Sequence, residues 1–265
     1  MTFGPAGWVS VAEIIFYVPT LIAAFVVCSR HGWSRASGWY YTIFMCVVRL
    51  AGATAQLLSY SNHSDVVIRA VIILDSIGMS PLLFATLGVL SRLLLGSADW
   101  VISRQEFRFG VREFRLLQLV ITLGLILSIV GGTSTSTSGN GTMTVSSTSK
   151  AGVGLYIAAF AGVTLIALVS VGYRNIVPRQ ESQILTAVSI AWPFILVRLA
   201  YSVLAAFSHD RSFSIATGSI AIHTGMTVIE EFMVVVIYLF LGFKLQKLGP
   251  EQQGEVTNRQ WKSRR

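Results

Sequence analysis

Seven stretches of this chain are apolar for long enough to cross a bilayer. A spanning helix needs about 20 mostly apolar residues. The runs are Trp8–Cys28, Trp39–Tyr60, Val66–Leu95, Leu116–Val130, Val153–Tyr173, Ile184–Phe207 and Ile220–Phe243. The fourth is the shortest as drawn, and its helix has room to begin earlier, near Phe114. The polar connections are short, apart from 96–115, the stretch Gly131–Lys150 and the tail after Gly249. The pattern predicts an all-α membrane protein: one seven-transmembrane-helix bundle over residues 1–249, then a basic tail over 250–265. Gly131–Lys150 reads GGTSTSTSGNGTMTVSSTSK; glycine and small hydroxyl residues bury too little apolar surface to order themselves, which predicts a mobile loop. No soluble domain and no internal repeat stands out.

Composition agrees. The chain is 53% hydrophobic and 12% charged, against about 25% charged in ordinary globular domains. No Lys or Arg precedes Arg30, and the first run is long enough to span, so it reads as a mature helix and not as a cleaved leader.

The basic residues set an expected orientation. With the N-terminus outside, the inner connections hold Arg30, Arg35, Arg92, Arg104, Arg108, Arg112, Arg115, Arg174 and Arg179, and the tail adds Lys244, Lys247, Arg259, Lys262, Arg264 and Arg265. The outer segments hold Arg69, Lys150 and Arg211. The N-terminus is thus expected on the lumenal side and the C-terminus in the cytoplasm. The net charge of +8 becomes a topological signal and no nucleic-acid footprint. Two glycosylation sequons, at Asn62 and Asn140, fall in predicted outer loops. They point to a multi-pass glycoprotein of the endoplasmic reticulum, with Asn62 the poorer acceptor because it lies close to the membrane. Cys28 and Cys46 fall near one membrane face on consecutive runs; with four scattered histidines they suggest neither a disulfide nor a metal site.

The chemistry lies in the ionisable residues inside the runs. A charged side chain at mid-bilayer costs roughly 2.5–3.5 kcal/mol on insertion scales. The first run carries Glu13, with Ser10, Tyr17 and Thr20 on the same face. The second carries Arg49, the third Asp75 with Ser76, Ser80 and Pro81 nearby, and the sixth Arg198 with Tyr201 and Ser202 after Trp192-Pro193. The seventh carries His223, Thr227 and two adjacent acids, Glu230 and Glu231. Counted from the run ends, these groups fall near the middle or in the outer half. They predict one polar cavity among runs one, two, three, six and seven.

Four acids there face two arginines. If both arginines pair, two acids remain, and burial disfavours the charged form of an unpaired carboxylate. A neutral carboxylic acid held in an apolar pocket is a proton donor. A plainer reading stands beside this one. Arg49 and Arg198 also make sense as interhelical ion-pair staples with Glu13 or Asp75 as partners. That fits Glu230 and Glu231 less well, because neighbouring helical residues point about 100° apart and cannot readily share a partner. His223 reads as a lumenal-interface residue. Phe16, Tyr17, Tyr40, Tyr41, Phe44, Trp192, Phe194, Tyr201 and Phe232 read as packing or interface belt, or collectively as ring faces for a cation.

Three function classes follow. A receptor or sensor finds little support: the third run ends Ser91-Arg92-Leu93 with no acid before the arginine, and the seventh has no asparagine-proline motif and no mid-run lysine for a retinal Schiff base. A proton-coupled transporter or exporter would use buried acids but would usually show matching broken helices, and Pro81 and Pro193 do not match. The third class is an enzyme. The acids Glu13, Glu230 and Glu231, with Val48-Arg49-Leu50-Ala51-Gly52 and Val197-Arg198-Leu199-Ala200-Tyr201, in a chain of this length and helix count, resemble the fungal integral-membrane terpene cyclases of meroterpenoid and other secondary-metabolite pathways. The chain is similar, too, to uncharacterised fungal seven-helix membrane families.

The cyclase resemblance implies a membrane-bound isomerase. It would protonate the terminal epoxide or alkene of a prenylated lipophilic substrate drawn from the bilayer, without cofactor or metal. Glu230, Glu231, Asp75 and Glu13 would be the candidate acids. Arg49 and Arg198 would orient the remaining carboxylates, and Tyr17, Trp192 and Tyr201 would face the cation. The aspartate-rich magnesium motifs of diphosphate-ionising prenyl enzymes, and the D-x-D-D acid motif, are absent.

Overall fold

The computed structural model describes residues 4–31, 37–61, 64–95, 111–133, 136–137, 143–144, 146–172, 179–208 and 220–245. The helices are α1 (Pro5–His31), α2 (Ser37–Ser61), α3 (Asp65–Ile77), α4 (Met79–Leu95), α5 (Val111–Thr133), α6 (Ser147–Gly172), α7 (Arg179–Phe207), α8 (Ile220–His223) and α9 (Glu230–Lys244), with a π-helix over Thr224–Ile229 between the last two. Seven spans are long and apolar enough to cross a membrane, α3 with α4 forming the third and α8, the π-helix and α9 the seventh. The protein is therefore built as a multi-pass membrane bundle.

Apolar side chains cover the outside as well as the core. Trp8, Ile15, Ile22, Leu116, Leu119, Leu168, Val236 and Phe240 are all exposed. In water this would be a large aggregation-prone surface; in lipid it is the contact face, because the bilayer takes up apolar groups while helices satisfy their own backbone.

Three runs differ from their sequence outlines. The fourth helix starts at Val111, five positions before the apolar run, because Arg112, Glu113 and Arg115 extend it beyond the hydrophobic part. The third is broken at Gly78, between Ile77 and Met79. Pro81 accounts for this: its ring lacks an N–H and clashes with the carbonyl four residues back, that of Ile77. The seventh contains the π-helix, which no hydropathy pattern reveals. Gly131–Lys150 is partly ordered: α5 runs through Gly131 to Thr133, α6 begins at Ser147, and a short antiparallel ladder pairs Ser136 with Thr144 and Thr137 with Met143. Asn62, Asn140 and the 250–265 tail lie outside the described residues. Cys28 and Cys46 are buried free thiols.

The C-terminal end of the bundle is tied across four spans. His31 Nε2 donates to the Gly242 carbonyl at 2.8 Å, and Trp39 Nε1 donates to the Tyr238 carbonyl at 3.1 Å. A carbonyl can only accept, so His31 carries its proton on Nε2, leaving Nδ1 to accept from Arg92 Nη1 at 3.1 Å. The His31 and Trp39 rings stack at 4.5 Å. Position 242 must be glycine, since a Cβ there would run into the Trp39 indole and Val27.

Candidate functional site

One face of α1 is buried at Gly7, Ser10, Glu13, Tyr17, Thr20, Ala24 and Val27, the three-and-four spacing that turns a helical stripe inward. Ser10 and Thr20 donate back to carbonyls of their own helix. Glu13 is thereby left as the group on this stripe that faces its neighbours with charge.

Its neighbour is Arg49 of α2, buried at mid-span. Arg49 Nε and Nη2 donate to the two carboxylate oxygens of Glu231, in α9. Arg49 Nη1 donates to Asp75 Oδ1 at 3.1 Å and lies 3.8 Å from Glu13 Oε1, an ionic contact and not a hydrogen bond. Arg198 of α7 approaches from the other side. Its Nε donates to Glu231 Oε1 at 2.8 Å, its Nη1 to Ser202 Oγ at 2.7 Å and its Nη2 to the Asp75 carbonyl at 3.1 Å. Glu231 is fully buried and Arg198 is 2% exposed. Such a cluster is tolerable in a low-dielectric interior because opposite charges and hydrogen bonds replace the lost water.

Two backbone features make room for it. Gly78 lies directly beside the pair: a Cβ there would stand 3.0 Å from both Arg49 Nη2 and Glu231 Oε1. The break in the third span thus falls where the chain must come close to the ions. The π-helix does the second job. In an uninterrupted α-helix residues eight apart are about 80° out of line. The wider turns over Thr224–Ile229 remove most of that offset and bring His223 round to the side of Glu231. His223 Nε2 then meets Asp75 Oδ1 at 3.1 Å. Since a carboxylate accepts, Nε2 carries the hydrogen. The Tyr201 ring stands edge-on to His223 at 5.8 Å, with the Arg198 guanidinium 5.8 Å from its centroid.

Among the described residues the cluster therefore unites three carboxylates (Glu13, Asp75, Glu231), two guanidinium groups (Arg49, Arg198) and one imidazole (His223) from five of the seven spans. Glu13 Oε1, Tyr17 Oη and Thr227 Oγ1 are buried with no hydrogen-bond partner, which is uncommon for interior polar atoms. Aromatic rings border the Glu13 side: Phe16 stacks on Phe232 at 3.9 Å, and Tyr17 meets Phe232 edge-on at 5.1 Å.

Of the residues singled out from sequence, Glu13, Arg49, Asp75, Arg198, Glu231, Tyr17 and Tyr201 come together. Two do not. Glu230 is half-buried, outside the ion-pair cluster, with Oε2 unpartnered, because one helical step turns it away from Glu231. Trp192 packs between α6 and α7, donating to Thr164 Oγ1 at 3.0 Å with its ring against Phe160. His223, expected at the interface, joins the cluster. Its neighbourhood was hidden because the spacing to Glu231 is wrong for an α-helix. Among the described residues no group of three or more His, Cys, Asp and Glu is placed to hold a metal ion.

Fold and site together define a multi-pass membrane protein with a buried ion-pair cluster at mid-span. The chain belongs to the family described as Domain of unknown function (DUF7702), whose model matches residues 4–248 and so takes in all seven spans and every member of the cluster. No curated protein matches it.

Proposed function

We propose that this protein is a membrane-bound terpene cyclase, which holds one acidic proton inside the bilayer and delivers it to a prenylated lipophilic substrate, alkene or epoxide. The observation that carries this reading is the charge count of the cluster. Three carboxylates face two guanidinium groups, so one further proton makes the site neutral. Glu231 accepts from both arginines and Asp75 accepts from Arg49, so both serve best as carboxylates. Glu13 makes no hydrogen bond through Oε1. Among the three carboxylates the proton therefore belongs on Glu13, which is the acid in this scheme, and the arginines are its scaffold.

The step balances without a co-reactant. The Glu13 hydroxyl gives its proton to the terminal alkene carbon or epoxide oxygen. The alkene π pair, or the breaking C–O bond, leaves a carbocation that the next double bond attacks. The last cation loses a proton to a water molecule, so the product is an isomer of the substrate and Glu13 is left as a carboxylate. Phe16 and Tyr17, three and four residues after Glu13 on α1, put aromatic rings on its side of that helix, and cation–π attraction is worth about 2 kcal/mol or more when desolvated. The basic residues favour a lumenal N-terminus and a cytoplasmic C-terminus, in keeping with residence in the endoplasmic reticulum.

A second reading, a proton-coupled carrier, draws on the π-helix beside the cluster, since interrupted helices at mid-membrane serve substrate and ion sites in transporters. Microsomes bearing the protein, incubated with prenylated phenols and their terminal epoxides, separate the two. Cyclised product of unchanged mass is expected, falling about 10²–10⁴-fold in Glu13→Gln. No product from any precursor, with labelled precursor accumulating in the vesicles, would replace the cyclase by the carrier.

A further inference from the structure

An acid that gives up its proton must regain it, and among the described residues His223 offers a route. Resting on the cyclase reading, the inference concerns His223, whose side chain is 29% exposed while those of Asp75 and Glu13 are each 9% exposed. His223 Nε2 reaches Asp75 Oδ1 at 3.1 Å. The same oxygen accepts from Arg49 Nη1, and that nitrogen is the one in contact with Glu13. Asp75 and Glu13 thus flank a single guanidinium nitrogen. The charged or titratable groups facing His223 come from each element around it: Glu13 of α1, Arg49 of α2, Asp75 of α3, Arg198 and Tyr201 of α7.

The charges restrict how many protons this set can hold. With Glu13 ionised and His223 neutral the cluster carries one net negative charge; with both protonated it carries one net positive charge. One proton, on either group, leaves it neutral, and low-dielectric surroundings favour that state. We propose that His223 is a positioning residue of the site, sharing this one proton with Glu13 and returning it after turnover. Water at the exposed edge of the ring protonates Nδ1. The Nε2 hydrogen passes to Asp75 Oδ1 and reaches Glu13 when that acid swings about Arg49 Nη1 to within hydrogen-bond distance of Asp75, so Asp75 ends as it began. Exchange with water then resets the imidazole tautomer.

The test uses the purified full-length protein in lipid nanodiscs and reads protons without turnover. Infrared difference spectra report the carbonyl stretch of a protonated carboxylic acid. A band that disappears in Glu13→Gln and gains intensity at neutral pH in His223→Gln, where the proton has only Glu13 to occupy, is expected. Nitrogen-15 NMR of His223 gives the converse in Glu13→Gln, where two carboxylates already balance two guanidinium groups: the ring stays a neutral imidazole across roughly pH 5 to 8, where an unperturbed histidine titrates. An unchanged acid band in His223→Gln, or a His223 titration identical in wild type and Glu13→Gln, would overturn the proposal. Should His223→Gln fail to fold, the NMR arm decides alone. Product formation with neither spectroscopic change sinks this inference and leaves the cyclase standing. Both changes without product sink the cyclase and leave the shared proton.

Discussion

Arg49 and Glu231 are 182 positions apart in the chain, yet two nitrogens of one lie on the two carboxylate oxygens of the other at the centre of the bundle. Arg198 binds the same carboxylate from α7. One acid thus joins the second, sixth and seventh spans.

Glu231→Gln leaves two buried guanidinium groups short of a counter-charge. Breaking a buried pair from one side costs about 3–5 kcal/mol. Glu230→Gln, outside the cluster, should stay within about 0.5 kcal/mol of wild type. Thermal unfolding in matched micelles compares them. Equal losses for both acids would mean that Glu231 is no more of an anchor than its neighbour.

Gly78→Ala places a methyl group 3.0 Å from Arg49 Nη2 and Glu231 Oε1. Overpacking of this kind costs about 1–3 kcal/mol, and it should reduce activity by displacing the pair. Gly154→Ala is the control, because a Cβ there meets nothing within 4 Å and alanine improves helix propensity by about 0.8–1 kcal/mol. The two melting temperatures are expected to move in opposite directions.

Arg198→Lys keeps the charge and loses the geometry. A lysine ammonium is a point donor and cannot span Glu231, Ser202 and the Asp75 carbonyl as the guanidinium fork does. We expect Arg198→Lys to behave more like Arg198→Met than like wild type, in both melting temperature and product yield. Full rescue by lysine would show that only the charge matters.

The proposed topology has its own test. With the N-terminus lumenal, endoglycosidase treatment of protein made in a eukaryotic host should shift its mobility, and Asn140→Gln should abolish most of that shift. A C-terminal epitope should be cleaved by protease added to sealed microsomes, whose cytoplasmic face is outward, while an N-terminal epitope is protected. Protection of the C-terminal epitope with cleavage of the N-terminal one would reverse the assignment.

Much of this was legible in the chain. The seven spans follow from hydropathy, which depends on composition along short windows. The carboxylates and guanidinium groups of the cluster were visible as ions too costly to leave in lipid. The adjacency of Glu230 and Glu231 already implied that one of them faces elsewhere, though not which. What stayed hidden depends on departures from a regular 3.6-residue helix. His223 falls on the wrong side of an ideal helix until the π turns bring it round. Gly78 has no side chain to draw notice, and its role exists only because Arg49 and Glu231 meet beside it. Trp192 had suitable chemistry, but it sits six residues, about 9 Å, along the helix from Arg198, and its indole nitrogen is committed to Thr164.

The seventh span has unlike ends. Gly242 and Tyr238 are clasped by His31 and Trp39, while the opposite stretch from Thr224 to Ile229 is wound too loosely for its own standard ladder. Such a rod has a fixed heel and a compliant toe. If the bundle parts to admit a guest from the lipid, the opening belongs at the toe, where tightening by one residue swings His223 off Asp75 without disturbing the anchored end.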